Sequence, residues 1–286
     1  MKGIILAGGT GSRLWPITLS TSKQLLPIYD KPLIYYPLST LMLAGIRDIL
    51  IITTPEDQTA FQRLLGDGDS IGIQLRYAIQ EKPEGLAQSF IIGEKFIGTD
   101  DVAMILGDNI FHGSGLGEQL EDCTNPDGAI IFGYAVTDSQ RYGVVELDAH
   151  GSVVAIEEKP AHSRSNLAIP GLYFCDSSVV QKANSVKKSS RGELEIVSIL
   201  DMYLQENRLN LNVLTRGTAW LDCGTVNSLN DASNYIRVIE ERQGFKVGCP
   251  EEVAWRKKWI SSKQLESLAS KCGANEYGEY LRRLVN

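Results

Sequence analysis

Residues 3–13 read Gly-Ile-Ile-Leu-Ala-Gly-Gly-Thr-Gly-Ser-Arg, so a short apolar run passes directly into a glycine-rich loop that ends in a cation. The apolar part predicts a buried strand, and the glycines let the backbone approach a ligand with no Cβ in the way. Free N–H groups in such a turn bind phosphate oxygens, whose charge Arg13 and the nearby Lys23 can neutralise. The alternative is a surface turn with two solvated cations, but a loop placed directly after an apolar strand favours phosphate binding.

This loop does not fit the two best-known phosphate-binding motifs. A Walker A loop needs a lysine followed by Ser or Thr after its glycines, and none follows Gly11. The dinucleotide motif needs a third glycine for close helix–strand packing, and Leu14 occupies that position. Asp30, the nearest candidate for a ribose-binding carboxylate, lies in a predicted turn. A hydride-transferring enzyme is therefore a weak alternative.

Composition excludes several other classes of protein. The 286 residues carry a net charge of −7, which makes nucleic-acid binding a poor hypothesis. A small anionic substrate would have to be met by local cations and a metal ion. The five cysteines are widely spaced with no C-x-x-C pair, as expected for reduced thiols in a cytoplasmic protein. No apolar stretch approaches the roughly 20 residues of a membrane span.

Hydrophobic runs alternate between strand-like and helix-like patterns. The predicted strands are 4–7, 48–53, 73–79, 102–106 and 129–134, and the predicted helices are 33–44, 58–65 and 86–96. This alternation predicts an α/β fold with a mostly parallel sheet flanked by helices. From about residue 141 short strands dominate, with a hairpin at 143–156 and strands at 171–174 and 211–214. We interpret them as a substrate-binding insertion that continues the same sheet.

The last sixty residues have a helical pattern. Ser228 is the expected N-cap of a helix that ends at Gly244, and Pro250 is expected to begin a second helix. Trp255 and Trp259 are four residues apart, which places them on one helical face. That face can pack against the sheet, contact another subunit, or do both.

Two aspartates occur where apolar runs meet glycine. Asp108 follows Leu-Gly at the end of a predicted buried strand, and Asp222 lies between an apolar pair and Cys-Gly. Carboxylates beyond the carboxyl ends of strands are well placed to bind a divalent cation, and Mg²⁺ is commonly held by one or two of them. Asp108 could instead cap a following helix. Because 114 residues separate the two aspartates, spacing alone leaves open whether they meet.

Several motifs in order along the whole chain resemble the sugar-nucleotide pyrophosphorylases, and among them the short bacterial glucose-1-phosphate thymidylyltransferases. The similar stretches are G-G-T-G-S-R-L at 8–14, S-K-Q-L-L-P at 22–27, G-L-A-Q at 85–88, L-G-D-N at 106–109, R-Y-G-V-V-E at 141–146, E-E-K-P at 157–160 and R-G-E-L-E-I at 191–196. The resemblance implies a Rossmann-like, mostly parallel mixed sheet of the nucleotide-diphospho-sugar transferase type, with a sugar-binding β insertion and a helical C-terminus. It also implies a core at 1–226, with a nucleotide half up to about residue 140 and a sugar half to 226, and a helical oligomer or regulatory region at 227–286.

The resemblance also implies the role of each site residue. Residues implied to bind the nucleotide are Gly8, Gly9, Thr10, Gly11, Arg13, Lys23, Gln24, Gln80 and Gly85. Residues implied to bind the sugar phosphate are Asp108, Gly143, Glu158, Lys159, Ile169 and Arg191. Asp108 and Asp222 are implied Mg²⁺ ligands, and Arg13, Lys23, Lys159 and Asp108 the catalytic groups. A regulatory nucleotide site would use 111–115, Arg216 and the helix at 252–256.

The implied activity is Mg²⁺-dependent transfer of dTMP from dTTP to glucose 1-phosphate, which supplies dTDP-glucose for dTDP-rhamnose or other deoxysugars such as those of lipopolysaccharide. A homotetramer without nucleic-acid or membrane partners is implied as well. Two alternatives are a uridylyltransferase that uses UTP and a sugar 1-phosphate, and a non-catalytic nucleotide-binding module. Such a module typically loses loop cations or metal carboxylates, and Arg13, Lys23, Asp108 and Asp222 are all present.

Overall fold

Strands and helices alternate through the N-terminal part of this computed structural model, which describes residues 1–162 and 164–285. The strands are β1 (Lys2–Ala7), β2 (Pro27–Ile28), β3 (Lys31–Pro32), β4 (Asp48–Thr53), β5 (Gln74–Ile79), β6 (Val102–Leu106), β7 (Asn109–His112), β8 (Ala129–Ala135), β9 (Gly143–Leu147), β10 (Val153–Glu158), β11 (Leu167–Ala168), β12 (Leu172–Cys175), β13 (Leu209–Val213) and β14 (Ala219–Asp222). The helices are α1 (Tyr35–Leu43), α2 (Gln58–Leu65), α3 (Gln88–Ile92), α4 (Glu94–Ile97), α5 (Leu116–Glu121), α6 (Val179–Ser185), α7 (Ile196–Gln205), α8 (Val226–Gln243), α9 (Pro250–Arg256), α10 (Ser262–Lys271) and α11 (Glu276–Val285).

The first apolar run forms a central strand of the main sheet. β1 pairs in parallel with β4 on one side and with β6 on the other, and β5 continues the parallel part beyond β4. Ile4 and Ile5 are both fully buried, but they face separate hydrophobic clusters on opposite sides of the sheet. A strand covered on both faces needs a continuous apolar run, which is what the sequence has. The predicted α/β class is confirmed.

The second half of the chain extends the same sheet. Its strand order is β10-β9-β11-β8-β12-β6-β1-β4-β5, with β13 paired to β8. β12 lies antiparallel to β6, and β9 and β10 form the predicted hairpin. The sheet is therefore parallel around β1 and largely antiparallel toward β10. The predicted β insertion continues the sheet, whereas the divisions at residues 140 and 226 stay predictions.

The predicted helix at 86–96 is interrupted. Gly93 separates α3 from α4, and a Cβ at this position would lie 2.9 Å from Cδ1 of Ile4 on β1. The helix pair thus approaches the sheet closely where only glycine fits. Pro37 is the third residue of α1, where a missing N–H costs little because the first N–H groups of a helix have no partner within it.

Two predictions for the C-terminal helices are wrong. Thr225, not Ser228, is the N-cap of α8, and Ser228 is the reciprocal partner three residues later in a capping box. Trp255 and Trp259 do not share a helical face, because α9 ends at Arg256 and the chain then turns at a left-handed Lys258 (φ 61°). The predicted end of α8 at Gly244 and the predicted start of α9 at Pro250 are confirmed. Within the described residues, no helix is long and apolar enough to cross a bilayer.

Candidate active site

Every residue predicted for the nucleotide, sugar-phosphate, metal and catalytic sites lines one cleft of about 510 Å³ beside the glycine loop. The structure thus brings together residues in or directly after β1, β5, β6, β9, β10 and β14, which are far apart in the chain. The predicted residues in its wall are Gly8, Gly9, Thr10, Gly11, Arg13, Lys23, Gln24, Gln80, Gly85, Asp108, Gly143, Glu158, Lys159, Ile169, Arg191 and Asp222. Their individual roles remain predictions.

The glycine loop leaves β1 and folds against the neighbouring strand ends. A Cβ on Gly8 would lie 2.2 Å from Oε1 of Gln80, so the side chain of Gln80 occupies the space that a larger residue would need. Gly11 is left-handed (φ 58°), and its carbonyl oxygen accepts a hydrogen bond of 2.8 Å from Oγ1 of Thr18. The loop is therefore held by its ends while its glycine backbone lines the cleft.

A small two-stranded sheet brings the two aspartates together. β7 begins directly after Asp108 and pairs antiparallel with β14, in a register that places Asp222 opposite Asn109. The next residue, Cys223, donates its backbone N–H to the carbonyl oxygen of Asp108 at 3.0 Å. Asp108 therefore belongs to a strand–strand turn and not to a helix cap, and 114 residues of separation in sequence become adjacency in space.

The two carboxyl groups have opposite pKa shifts. Burial opposes ionisation of Asp108, but Lys23 forms an ion pair and a hydrogen bond with it, and the net effect lowers the pKa of Asp108. Burial raises the pKa of Asp222, and the negative charge of Asp108 adds to that increase. Two like charges are thus held close in a partly desolvated place, which costs free energy unless cations offset it.

Asn109 and Trp220 are two residues of this site that were not predicted. The side-chain amide of Asn109 donates to Oδ1 of Asp108 at 2.9 Å. Its oxygen accepts from Nε1 of Trp220 at 2.6 Å and from the backbone N–H of Gly171 at 3.1 Å. Asn109 is 2% exposed, so each of these contacts replaces water. Its place directly after Asp108 was the available signal.

Arg141 is a third residue that was not predicted as part of the site. Its guanidinium lies between Asp138, at 2.8 Å, and Oδ2 of Asp222, at 3.4 Å. Arg13 also lies close to Asp222. A Cβ built on Gly224 would be 3.2 Å from Nη2 of Arg13 and 3.2 Å from the carboxylate oxygens of Asp222. Arginines from two separate loops therefore approach the carboxylate whose pKa is raised.

Acidic side chains hold a second group of cations near the edge strand β10. Glu158 contacts both Lys159, at 3.0 Å, and Arg191, at 3.2 Å. Arg191 is also held by Glu195 at 2.8 Å. Gly143 makes room here, because a Cβ on it would lie 3.2 Å from Oε2 of Glu158. The glutamates fix where the two cations face the cleft, and Glu195 was not among the predicted residues.

The opposite wall of the cleft is formed by Gln80 and the segment around Gly85. Gly85 has φ 109°, and a Cβ would lie 2.4 Å from the carbonyl oxygen of Leu194. The backbone N–H of Leu194 donates to the carbonyl of Glu84 at 2.7 Å, and that of Ala87 donates to Leu194 at 3.1 Å. The requirement for glycine thus comes from close contact between two loops.

A separate cavity of about 380 Å³ lies between α1, β7 and α9. Phe111, His112, Glu252 and Arg256 line it, as the predicted regulatory region requires. Arg216 is exposed and is not one of its lining residues. The structure therefore brings most of that predicted region together around one cavity and leaves Arg216 outside it.

A glycine loop at a strand end, facing paired carboxylates beyond the same sheet, defines a protein that handles the phosphates of a nucleotide. The chain belongs to the nucleotidyl transferase family, whose model matches residues 2–238. It is 56% identical over 286 residues to the glucose-1-phosphate thymidylyltransferase of Mycolicibacterium smegmatis, which covers 100% of this chain and 99% of that protein.

Two crystal structures are also similar. A Bacillus anthracis protein, provisionally assigned as a glucose-1-phosphate thymidylyltransferase and crystallised with sucrose, superposes with a TM-score of 0.77 at 40% identity, over 83% of this chain and 95% of that one. A UDP-glucose pyrophosphorylase in complex with UDP-glucose superposes with a TM-score of 0.73 at 26% identity, over 83% and 98%. The family expected from the sequence motifs is confirmed.

Proposed function

We propose that this protein transfers dTMP from dTTP to glucose 1-phosphate and releases pyrophosphate. The observation that carries the proposal is the arrangement of charge in one cleft: Lys23 and Arg13 lie beside the glycine loop, and Lys159 and Arg191 lie near β10. Each group of cations can receive one of two anionic substrates. Full-length similarity to a protein named glucose-1-phosphate thymidylyltransferase supports the choice of substrates.

The proposed reaction needs no strong general base. A phosphate oxygen of glucose 1-phosphate attacks the α-phosphorus of dTTP, a new P–O bond forms, and the bond from that phosphorus to the oxygen bridging to the β-phosphate breaks in line. Because the nucleophile is already an anion, no proton has to be removed. The obstacle is repulsion between two polyanions, which Arg13, Lys23, Lys159 and Arg191 offset by holding the reactants in position.

We propose that Asp108 and Asp222 hold Mg²⁺. The residues present fit this ion: both are oxygen ligands, they are partly desolvated, and the backbone contact from Cys223 keeps them adjacent. Two protein carboxylates suffice for this ion, because Mg²⁺ usually keeps several waters and is bound through one or two carboxylates plus substrate phosphates. When bound, the ion would neutralise charge on the phosphates.

A direct assay tests the proposed activity. Purified protein is given glucose 1-phosphate, Mg²⁺ and each nucleoside triphosphate in turn, and pyrophosphate release is followed. We expect the highest kcat/KM with dTTP and some use of UTP, because one methyl group is worth only about 1–3 kcal/mol in a pocket. No turnover with dTTP, or a clear preference for UTP or CTP, would contradict the proposal, and the latter would support the uridylyltransferase alternative or a related specificity.

A non-catalytic nucleotide-binding module is the remaining alternative, and one variant separates it from the enzyme. Asp108→Asn keeps the shape of the side chain and removes a proposed metal ligand. We expect its turnover to fall by on the order of 100-fold. Equal activity of parent and variant would refute the metal role of Asp108, and absence of activity in a folded parent would favour the module.

The cavity at α9 supports a second, regulatory proposal. Lys246, Arg256 and Lys257 line it beside apolar Leu116 and Val253, a combination suited to an anionic nucleotide-sugar. We expect dTDP-sugars to inhibit the parent and Arg256→Glu to weaken that inhibition, with the KM for dTTP unchanged. We also propose a homotetramer, which light scattering would measure, and a cytoplasmic location for a protein whose five cysteines are all free.

A further inference from the structure

Gln80 is one of the residues implied to bind the nucleotide, and the resemblance implies that its partner there is the thymine edge, so the orientation of its amide decides which base it can bind. It follows β5, where its backbone N–H donates to the carbonyl of Thr53 at 2.8 Å. Its side chain crosses the end of β4 and reaches Gly8, and the residue is only 4% exposed. Two orientations of the amide fill the same space, and they present either a carbonyl oxygen or an NH₂ group to the cleft.

Gln88, the first residue of α3, contacts Gln80 but does not line the cleft. Oε1 of Gln88 accepts a hydrogen bond of 3.1 Å from the backbone N–H of Glu84. Its Nε2 donates to the carboxylate of Glu84 at 3.3 Å. A backbone N–H can only donate and an ionised carboxylate can only accept, so these two contacts fix which end of the Gln88 amide is oxygen.

The orientation of Gln88 in turn fixes that of Gln80. The Gln80 atom that lies 2.6 Å from Oε1 of Gln88 must be a donor, and it is therefore Nε2. The carbonyl oxygen of Gln80 is then the end that lies over Gly8. Within residues 1–162 and 164–285, no donor is hydrogen-bonded to that oxygen, so it remains available as an acceptor.

We propose that Gln88 is a positioning residue for base selection: it holds Gln80 with its carbonyl oxygen toward the cleft, which selects a base that carries an imide N–H. Thymine and uracil have a donor at N3, whereas N3 of cytosine is an acceptor and would face the oxygen unfavourably. This inference rests on the proposed function, because it assumes that the base lies against Gln80. It adds a residue outside the cleft that determines specificity through the polarity of one hydrogen bond.

The test compares kcat/KM for dTTP, dUTP and dCTP in the parent and in Gln88→Leu, with dCTP also assayed as a competitive inhibitor. Gln88→Leu leaves the Gln80 amide free to reverse, so we expect the preference for dTTP over dCTP to narrow by about tenfold. The preference for dTTP over dUTP should stay unchanged, because both bases carry the imide N–H. A merely structural role would lower all three values together.

The double variant Glu84→Gln/Gln88→Glu exchanges the amide and the carboxylate between positions 84 and 88. It tests whether the acceptor for Nε2 of Gln80 can be restored by a different group. The carboxylate at position 88 accepts from Nε2 of Gln80 and from the backbone N–H of residue 84, and the amide at position 84 donates to it. We expect parent-like selectivity from the exchange and none of the narrowing seen in Gln88→Leu. Gln62→Leu, on the exposed side of α2, is the control for loss of a surface amide.

The outcomes separate this inference from the proposed activity. A parent that does not turn over dTTP overturns the proposed function itself. A parent that prefers dTTP over dCTP, together with an unchanged ratio in Gln88→Leu, overturns only the role of Gln88. If Gln88→Leu does not fold, the exchange variant is the test. The role of Gln88 is then overturned if, in the folded exchange variant, kcat/KM for dTTP divided by kcat/KM for dCTP falls to about one tenth of the parent value.

Discussion

A buried ion-pair cluster between the β2–β3 turn and α8 offers the sharpest quantitative prediction. Lys31, which is 3% exposed, contacts Glu240 at 2.7 Å and Asp30 at 2.5 Å. Glu240, 6% exposed, also accepts from Lys246 at 3.0 Å and from the backbone N–H of Val247 at 2.9 Å. The cluster joins the β2–β3 turn, which follows the proposed phosphate-binding residues, to the end of α8.

The expected energies follow from the charges that each substitution leaves behind. Two lysines and two acids sum to zero, so Lys31→Met leaves an excess negative charge and Glu240→Gln an excess positive one. Removing one partner of a buried pair costs about 3–5 kcal/mol. We expect about 3 kcal/mol for each single variant, because Asp30 or Lys246 still compensates in part. The double variant is neutral again, with Asp30 and Lys246 paired to each other, and should cost about 3 rather than about 6 kcal/mol.

Urea unfolding followed by tryptophan fluorescence measures these free energies from the transition midpoint and slope. Arg237→Met and Glu241→Gln form a control, because this pair lies 3.0 Å apart on α8, which also carries Glu240, but is exposed to solvent. The control pair should change the free energy of unfolding by about 0.5 kcal/mol or less. An additive double variant of the buried pair, or single variants no worse than the control, would refute the reasoning.

Three further predictions concern the site, a helix cap and the acid limb of stability. Asp222→Asn should lower turnover by on the order of 100-fold in a pyrophosphate-release assay, whereas Asp138→Asn, at the other end of the Arg141 contact, should not; equal losses would contradict the metal role. Thr225→Ala should lower the free energy of unfolding by about 1 kcal/mol, with Thr225→Ser retaining the parent value, because only the former removes the cap of α8. Burial opposes the charge of Asp30, but Lys31 and Lys246 outweigh it and lower the pKa of Asp30 in the folded protein. The Asp30 carboxylate therefore stabilises the fold fully above the ordinary aspartate pKa, and this stabilisation is lost as the pH falls through the folded pKa. Asp30→Asn should therefore be less stable than the parent at neutral pH, with the difference shrinking in acid unfolding curves; a constant difference would contradict the shift.

The sheet was predictable because its central strands are continuous apolar runs. β4 and β6 begin and end at the predicted residues, since strands buried on both faces leave an unbroken hydrophobic signal. β7 and β14 have four residues each and carry no comparable signal, although they are what brings Asp108 and Asp222 together. The candidate residues could thus be named from sequence, but their adjacency depended on a pairing that only the fold reveals.

The charged residues were harder to interpret than the apolar ones. A sequence such as Tyr-Asp-Lys-Pro at 29–32 is typical of a solvated turn, and Lys31 is nevertheless buried against α8, more than 200 residues away. Similarly, Arg141 contacts Asp222 and Arg191 contacts Glu158, and both of these acids lie far along the chain from the arginine. Ion pairs between distant segments have no periodicity, so no local pattern predicts them.

The balance of charge within the cleft bears on how an acidic protein would receive two polyanions. The charged side chains in its wall are Arg13, Lys23, Arg141, Lys159 and Arg191, and Asp108, Asp222, Glu158, Glu193 and Glu195. These five cations and five acids cancel, while the whole chain carries a charge of −7. Before Mg²⁺ binds, neither the protein as a whole nor the side chains of the cleft therefore have a net positive charge to attract phosphate over a distance. Affinity must come from short-range contacts, in which the proposed Mg²⁺, backbone N–H groups of the glycine loop and cations already oriented by glutamates and aspartates meet the phosphates directly. Selectivity between anions then depends on position more than on charge. Only an anion that reaches these contacts in the correct geometry gains enough binding free energy to compensate for the ion pairs between the cations and the acids that it disrupts.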